Sequence, residues 1–321
     1  MPRVVDVPTL VEQAREGHPR AVARLVSLVE DASPALREVM AALAPHAGRA
    51  YVVGLTGSPG VGKSTTTSAL VTALRERALR VGVLAVDPSS PFSGGALLGD
   101  RVRMQDHALD PGVYIRSMAT RGHLGGLSWA TPQALRVLDA AGCDVVLVET
   151  VGVGQSGVEV AAMADTTLVL LAPGMGDGIQ AAKAGILEVG DVFVVNKADR
   201  DGAQATVRDL RNMIGLGESR QPGDWRPAVL TTVASRGEGL EELVAALDKH
   251  RAWLEEGGRL RARRVRRAAD EVEAIALGTL RSRIGDLRSG DALERAAVQV
   301  VDGRTDPYSA ADALVAAVTS G

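Results

Sequence analysis

Cysteine is nearly absent from this chain: Cys143 is the one thiol in 321 residues. No internal disulfide can form, and its place just ahead of an apolar run marks it as a structural core thiol. Aromatic residues are scarce as well, with two Phe, three Tyr and three Trp against a hydrophobic fraction of 46%. The core must therefore be built of Val, Leu, Ile and Ala, the composition of buried parallel strands and their covering helices. No apolar run reaches the roughly 18 residues that a membrane span needs. The start, Met1-Pro2-Arg3-Val4-Val5-Asp6, lacks the apolar stretch of a secretory signal, so a cytoplasmic protein is expected. A net charge of −3 excludes a general attraction to nucleic acid or to a membrane surface. Lysine is the last scarcity: Lys63, Lys183, Lys197 and Lys249 are the only lysines among 36 basic residues, which leaves 32 arginines. An ammonium and a guanidinium group are not interchangeable at a phosphate, so the positions that keep lysine stand out.

What the chain does have is Gly57-Ser58-Pro59-Gly60-Val61-Gly62-Lys63-Ser64, preceded by the apolar run Tyr51 to Leu55 and followed by a helix-patterned segment from Thr65 to Ala78. Strand, tight loop and helix in that order, with G-x-x-x-x-G-K-[ST] spacing, describe a phosphate-binding loop. Its glycines let successive backbone N–H groups turn inward on a phosphate at a helix N-terminus. Lys63 is expected to reach the β- and γ-phosphates, Ser64 to ligate Mg²⁺, and Thr65 to continue the cradle. Six further apolar runs alternate with helical patterns: Val81 to Val86, Val113 to Ile115, Val145 to Val148, Thr167 to Leu171, Val192 to Val195 and Ala228 to Thr232. The pattern predicts an α/β fold, a doubly wound and mostly parallel sheet whose strand ends converge on one crevice. Residues 1–48 read as a helical extension with Leu10, Val11, Ala14, Val22, Leu25, Val26 and Val29 on one face, and Ser33-Pro34 as the cap and first residue of a helix reaching Leu43.

The strand ends carry the chemistry. Asp87 closes the second run, Asp100 follows on a Gly- and Ser-rich connection, and Glu149 closes Val145-Val146-Leu147-Val148 three residues ahead of Gly152. The last arrangement is a Walker B pattern with Glu in place of Asp. Asp87, Asp100 and Glu149 are thus candidate Mg²⁺ ligands beside Ser64, with Lys63, Asp100 and Glu149 as the catalytic candidates. Mg²⁺ takes few carboxylates, and the other reading of Asp100 is an ion pair with Arg101 or Arg103. The sixth run ends in Asn196-Lys197-Ala198-Asp199, an N-K-x-D arrangement. A carboxylate at Asp199 accepts from the N1–H and N2–H₂ edge of guanine, an edge adenine does not offer. Lys197 is expected along the base, and Val233-Ala234-Ser235 is placed to give a backbone N–H to guanine O6. The base is therefore guanine and the substrate GTP.

Taken together, the phosphate loop, Asp87-Pro88-Ser89-Ser90, Arg116 to Gly126, Glu149-Thr150-Val151-Gly152-Val153-Gly154-Gln155-Ser156 and Asn196 to Asp199 resemble the MeaB/ArgK family over nearly the whole chain. One departure is Gly157, where the family pattern has Glu. The resemblance implies a P-loop GTPase that acts as a chaperone of an adenosylcobalamin-dependent acyl-CoA mutase, typically methylmalonyl-CoA mutase. It also implies an N-terminal helical extension (1–48), a GTPase domain (49–255) and a C-terminal dimerisation arm (256–321). Residues 87–100, 149–156 and 172–183 match its three switch segments.

Hydrolysis is weakly equipped. Val153 follows the switch glycine Gly152 and Gln155 comes two residues later, so slow intrinsic turnover is expected, with Arg101, Arg103, Arg116 and Arg121 as candidates to supply charge. His107 and His123 have no Cys or His companions at metal-ligand spacing, which weakens an alternative as a nickel-enzyme maturation GTPase. No Asp-x-His-x-x-Gly signature is present, so cobalamin is expected on the partner and not on this chain. A second alternative, an ATPase or kinase serving amino-acid transport, is disfavoured by the guanine motif. Beyond the possible hinge Glu255-Glu256-Gly257-Gly258, Val265, Ala269, Val272, Ala276, Leu280, Ile284 and Leu287 form an apolar stripe on a long helix, with six arginines between Arg259 and Arg267. The arginines lack interleaved aromatics, so nucleic acid is not expected. An exposed stripe on a terminal arm implies a partner surface, here a second copy. Light scattering at micromolar concentration should give a homodimer; a monomer would defeat that expectation.

Overall fold

A computed structural model describes residues 5–87, 104–107, 109–119, 130–150, 156–174, 186–216, 223–288 and 291–319. Of the expectations above, those on Asp100, Arg101, Arg103, Arg121, His123, Val151 to Gln155 and Lys183 lie outside these residues.

Seven strands form one sheet: β1 Tyr51–Thr56, β2 Val81–Asp87, β3 Val113–Ala119, β4 Val145–Thr150, β5 Thr166–Leu171, β6 Val192–Asn196 and β7 Ala228–Thr232. Their order is β3-β2-β4-β1-β5-β6-β7, and every pairing is parallel. The expected α/β sheet is thus observed, with β1 between β4 and β5, so that loops leaving it open onto the crevice between the two halves. β3 runs four residues beyond its apolar core, to Ala119, because Arg116 and Ser117 continue the ladder opposite Leu84 and Ala85.

Helices α1 (Val7–Arg15), α2 (Pro19–Glu30) and α3 (Leu36–Leu43) precede the sheet, and α4 (Lys63–Glu76) follows the phosphate loop. Later come α5 (Thr131–Ala140), α6 (Ser156–Met163), α7 (Ile186–Val189), α8 (Ala203–Leu216) and α9 (Leu240–Glu255). Asp6 caps α1 by accepting from Thr9 N, and His18-Pro19 starts α2 with proline in its first turn, where a missing N–H costs nothing. The expected start of α3 is corrected: Pro34 and Ala35 form a tight turn closed by Leu36 N on Ser33 O at 2.8 Å, and the helix begins at Leu36.

The strand residues alternate between two packed faces. Val52, Val146 and Val148 point to one, where they are buried with α1, α2, α3 and α5 through Val11, Leu25, Val29, Leu43 and Leu138. The N-terminal helices belong to the same compact unit as the sheet, residues 1–260. Val53, Leu55, Val145 and Leu147 point to the other face, under Leu70, Val71 and Leu74 of α4 and Leu243 and Leu247 of α9. Cys143 is buried in the first layer, and burial pushes its thiol pKa up to about 12. The second unit, residues 261–321, is helical, with α10 (Arg259–Arg288) leading into it and α11 (Asp291–Val301) and α12 (Pro307–Thr319) within it. Val265, Val272 and Leu280 of the expected stripe are exposed. Asp306 caps α12 by accepting from Tyr308 N at 2.9 Å and Ser309 N at 3.1 Å; the Ser309 hydroxyl bond, and then the backbone bonds, hold its carboxyl below the usual range. No described helix is long and apolar enough to cross a membrane.

The link from α3 into β1 depends on one carboxylate. Asp139 of α5 accepts from the N–H groups of Gly48, Arg49 and Ala50. Replacing Asp139 with Ala removes an acceptor from all three, and we expect a loss of about 1–3 kcal/mol in urea unfolding, read as a lower midpoint at unchanged slope. A midpoint equal to the wild type would show that water replaces the carboxylate.

Candidate nucleotide-binding site

The phosphate loop takes the sharp path its glycines permit. Gly57 has φ +147° and a Cβ there would lie 2.3 Å from the carbonyl oxygen of Leu170; Gly62 has φ +97° and its Cβ would lie 2.4 Å from Asn196 Nδ2. Neither position has room for a side chain, and the left-handed backbone disfavours one as well. Helix α4 begins at Lys63, two residues earlier than its apolar pattern indicates, so Lys63, Ser64 and Thr65 form its first turn. The N–H groups of a first helical turn lack intrahelical acceptors, and the helix dipole adds partial positive charge at the same place. Lys63 is nearly buried and its Nζ donates to the carbonyls of Gly57 at 2.8 Å and Ser58 at 3.1 Å, which folds the ammonium back across the loop.

Alternation along β4 decides where its acid goes. Glu149 shares the face of Val145 and Leu147, which is the face covered by α4, and it is only 4% exposed. Ser64 Oγ donates to Glu149 Oε1 at 2.6 Å, and Thr67 Oγ1 donates to Oε2 at 3.0 Å. The structure therefore brings Ser64 and Glu149 together as the sequence predicts. Thr67 is a contact that sequence reasoning missed, although its place three residues after Ser64 puts both hydroxyls on one helix face. Hard oxygen donors gathered at the mouth of a phosphate loop suit Mg²⁺. Asp87 ends β2 at the same sheet edge: Ala85 pairs with Glu149, which sets Asp87 two residues further along.

On the other side of β1, Asn196 ends β6 and is 3% exposed. Its Nδ2 donates to Val61 O at 2.9 Å, while its Oδ1 accepts from Thr232 Oγ1 and Ala234 N, each at 3.1 Å. One side chain thus joins the phosphate loop, the end of β6 and the segment after β7. Lys197 adopts φ +58° and donates through Nζ to Gly60 O at 2.6 Å, so its stem runs back over the same loop. Ala198 N bonds Thr232 O at 3.0 Å. Asp199 stands exposed at the rim with Arg236 Nη2 3.2 Å from its Oδ2. In the segment after β7, Val233 N bonds Glu238 O at 3.0 Å and Ala234 N bonds Asn196 Oδ1.

One candidate has another partner than expected. Arg116 is tied to α2 by an ion pair with Glu30 and a 3.3 Å bond to Ser27 Oγ, which occupies it as a link between β3 and the N-terminal helices. His107 Nε2 lies 3.1 Å from Ser68 O and 3.2 Å from Ser68 Oγ.

The family described as methylmalonyl Co-A mutase-associated GTPase MeaB matches residues 22–287. A Pyrococcus abyssi protein, provisionally named a GTPase, is 47% identical over 315 residues, 97% of each chain. The mouse methylmalonic aciduria type A homolog, mitochondrial, is 40% identical over 216 residues, 67% of this chain and 52% of that one. A solved structure described as LAO/AO transport system kinase superposes with a TM-score of 0.71 at 27% identity, covering 98% of this chain and 99% of its own. On the strength of the family match across most of its length, this chain belongs to the MeaB family of P-loop GTPases.

Proposed function

We propose that this chain binds Mg²⁺–GTP and hydrolyses it slowly, as a chaperone that gates cofactor loading into an adenosylcobalamin-dependent acyl-CoA mutase, methylmalonyl-CoA mutase being the client, and protects it. The observation that carries the nucleotide half of this reading is the Asn196 side chain, whose three bonds hold the phosphate loop, the base motif and the segment after β7 in one site. Gly57 to Thr65 wrap the phosphates and Lys63 moves from its loop carbonyls onto the β- and γ-oxygens. Ser64, Glu149, Asp87 and Asp100 serve the metal, directly or through water, and Lys63, Asp100 and Glu149 carry the catalytic roles. Held by these residues, Mg²⁺ would supply positive charge against the negative charge that develops on the phosphates during hydrolysis. Asp199 takes the guanine N1–H and N2–H₂ edge. With Val233 and Ala234 N–H engaged elsewhere, the contact to O6 falls to Ser235 N–H.

The mutase half is supported by the family's description and by the name of the mouse relative. In this reading the exposed stripe of the second unit holds a second copy of the chain, and the active assembly is a cytoplasmic homodimer.

Base choice is tested by Asp199→Asn, which turns an acceptor into a donor that suits the 2-oxo group of xanthine. GTP affinity should fall at least about tenfold while xanthosine triphosphate gains. Wild-type protein that prefers ATP over GTP would overturn the reading and favour a transport-associated kinase. The client is tested by co-purification: a bound mutase should accelerate GTP turnover, and full-speed hydrolysis by the isolated chain, indifferent to any mutase, would count against the chaperone role.

A further inference from the structure

We propose that Thr67 is a positioning residue for the metal: it locks the carboxylate of Glu149 so that Ser64 presents a lone pair, and not its proton, to Mg²⁺. The inference rests on the Mg²⁺–GTP reading above. It starts from two hydroxyls one helical turn apart, each on a different oxygen of one buried acid, Ser64 Oγ on Oε1 at 2.6 Å and Thr67 Oγ1 on Oε2 at 3.0 Å.

A serine hydroxyl has one proton and two lone pairs, and it ligates a cation only through a lone pair. The proton must therefore point away from the metal, and Glu149 Oε1 is the acceptor that draws it. The terminal torsion of a glutamate is soft, so a carboxylate held at one oxygen swings readily about it. The Thr67 hydroxyl on Oε2 opposes that swing. Thr67 Oγ1 also lies 3.0 Å from the carbonyl of Lys63, and its single proton cannot serve both acceptors. The carboxylate has the stronger claim, because a hydrogen bond to an ionised acceptor is about twice as strong as one to a neutral carbonyl, and that carbonyl already accepts the helical N–H four residues on. Thr67 is fully buried, so no water competes for its hydroxyl. The chain of contacts runs from Thr67 through Glu149 to Ser64, so Thr67 acts on the metal through another side chain.

The test uses the full chain loaded with a fluorescent GDP analogue, following its release as free Mg²⁺ is titrated. Thr67→Val keeps the shape and the β-branch and deletes only the hydroxyl. It should raise the Mg²⁺ concentration for half-maximal slowing of release by about tenfold, while the rate in excess EDTA stays at the wild-type value. Thr67→Ser, which restores the hydroxyl, should return the midpoint to within about twofold of the wild type. In a Glu149→Gln background Thr67→Val should add no further shift. Should Thr67→Val fail to fold, Thr67→Ala removes the same hydroxyl with the best helix former and is read in the same way. An unchanged midpoint in a wild-type background, or a full additional shift in the Gln background, overturns the role of Thr67 alone. A wild-type protein whose nucleotide release ignores Mg²⁺ overturns the metal reading and this inference with it.

Discussion

The side-chain amide of Asn196 is the constraint on which the site's geometry depends. An amide offers both donor and acceptor in one rigid plane, and here both are used within the protein, the donor on Val61 O and the acceptor for Thr232 Oγ1 and Ala234 N. It can be so used because Asn196 is the last residue of a strand paired on both sides, where backbone order fixes the Cβ direction, and because Gly62 lets the loop approach without a side chain in the way. A residue counted as part of a base-recognition motif therefore also sets the shape of the phosphate loop. Lys197, donating to Gly60 O, reinforces the same link from the next position.

The fold was legible in the sequence because its signals are local and repetitive. All seven apolar runs proved to be strands, since an all-parallel sheet buried on both faces requires continuous Val and Leu and punctuates them with helices. The site was legible to the extent that it lies at strand ends: Ser64 and Glu149 meet as motif and topology together indicate, and Asn196 stands at the end of β6, while its bond to the phosphate loop came from the structure. What could not be read was the fate of individual polar groups. Thr67, Thr232, Arg236 and Glu30 are ordinary residues by type, and only the packing of α4 on β4, or of α2 on β3, shows whom they meet. Arg116 illustrates the limit: a charge count offers it to the phosphates, but Glu30 lies on the helix packed against its strand and takes it. The start of α3 failed for a similar reason, because Ser-Pro fits both a cap and a tight turn, and the choice depends on where Leu36 must be buried.

The site shows how period-two alternation governs chemistry. Two residues apart on β4, Leu147 and Glu149 share a face; the first closes the core beneath α4 and the second meets the hydroxyls at the start of that helix. The same alternation sends Val146 and Val148 to the N-terminal helices. A one-residue slip of β4 would exchange acid for apolar side chain and empty both sides at once, so the register that makes the core also makes the site.

Asp139 gives this architecture a bearing on inheritance. Its carboxylate gathers the three amides that lead into β1, and the helices before them cover the face formed by Val52, Val146 and Val148. The segment looks detachable in a linear diagram, a short helical prefix before a nucleotide-binding domain. Physically it is the lid of the first hydrophobic layer. Recombination that spliced a different leader onto residue 49 would have to supply a matching apolar surface and keep a partner for Asp139. The prefix and the domain are therefore expected to travel through evolution as one cassette, with the crossover point excluded by packing and not by any requirement of the nucleotide.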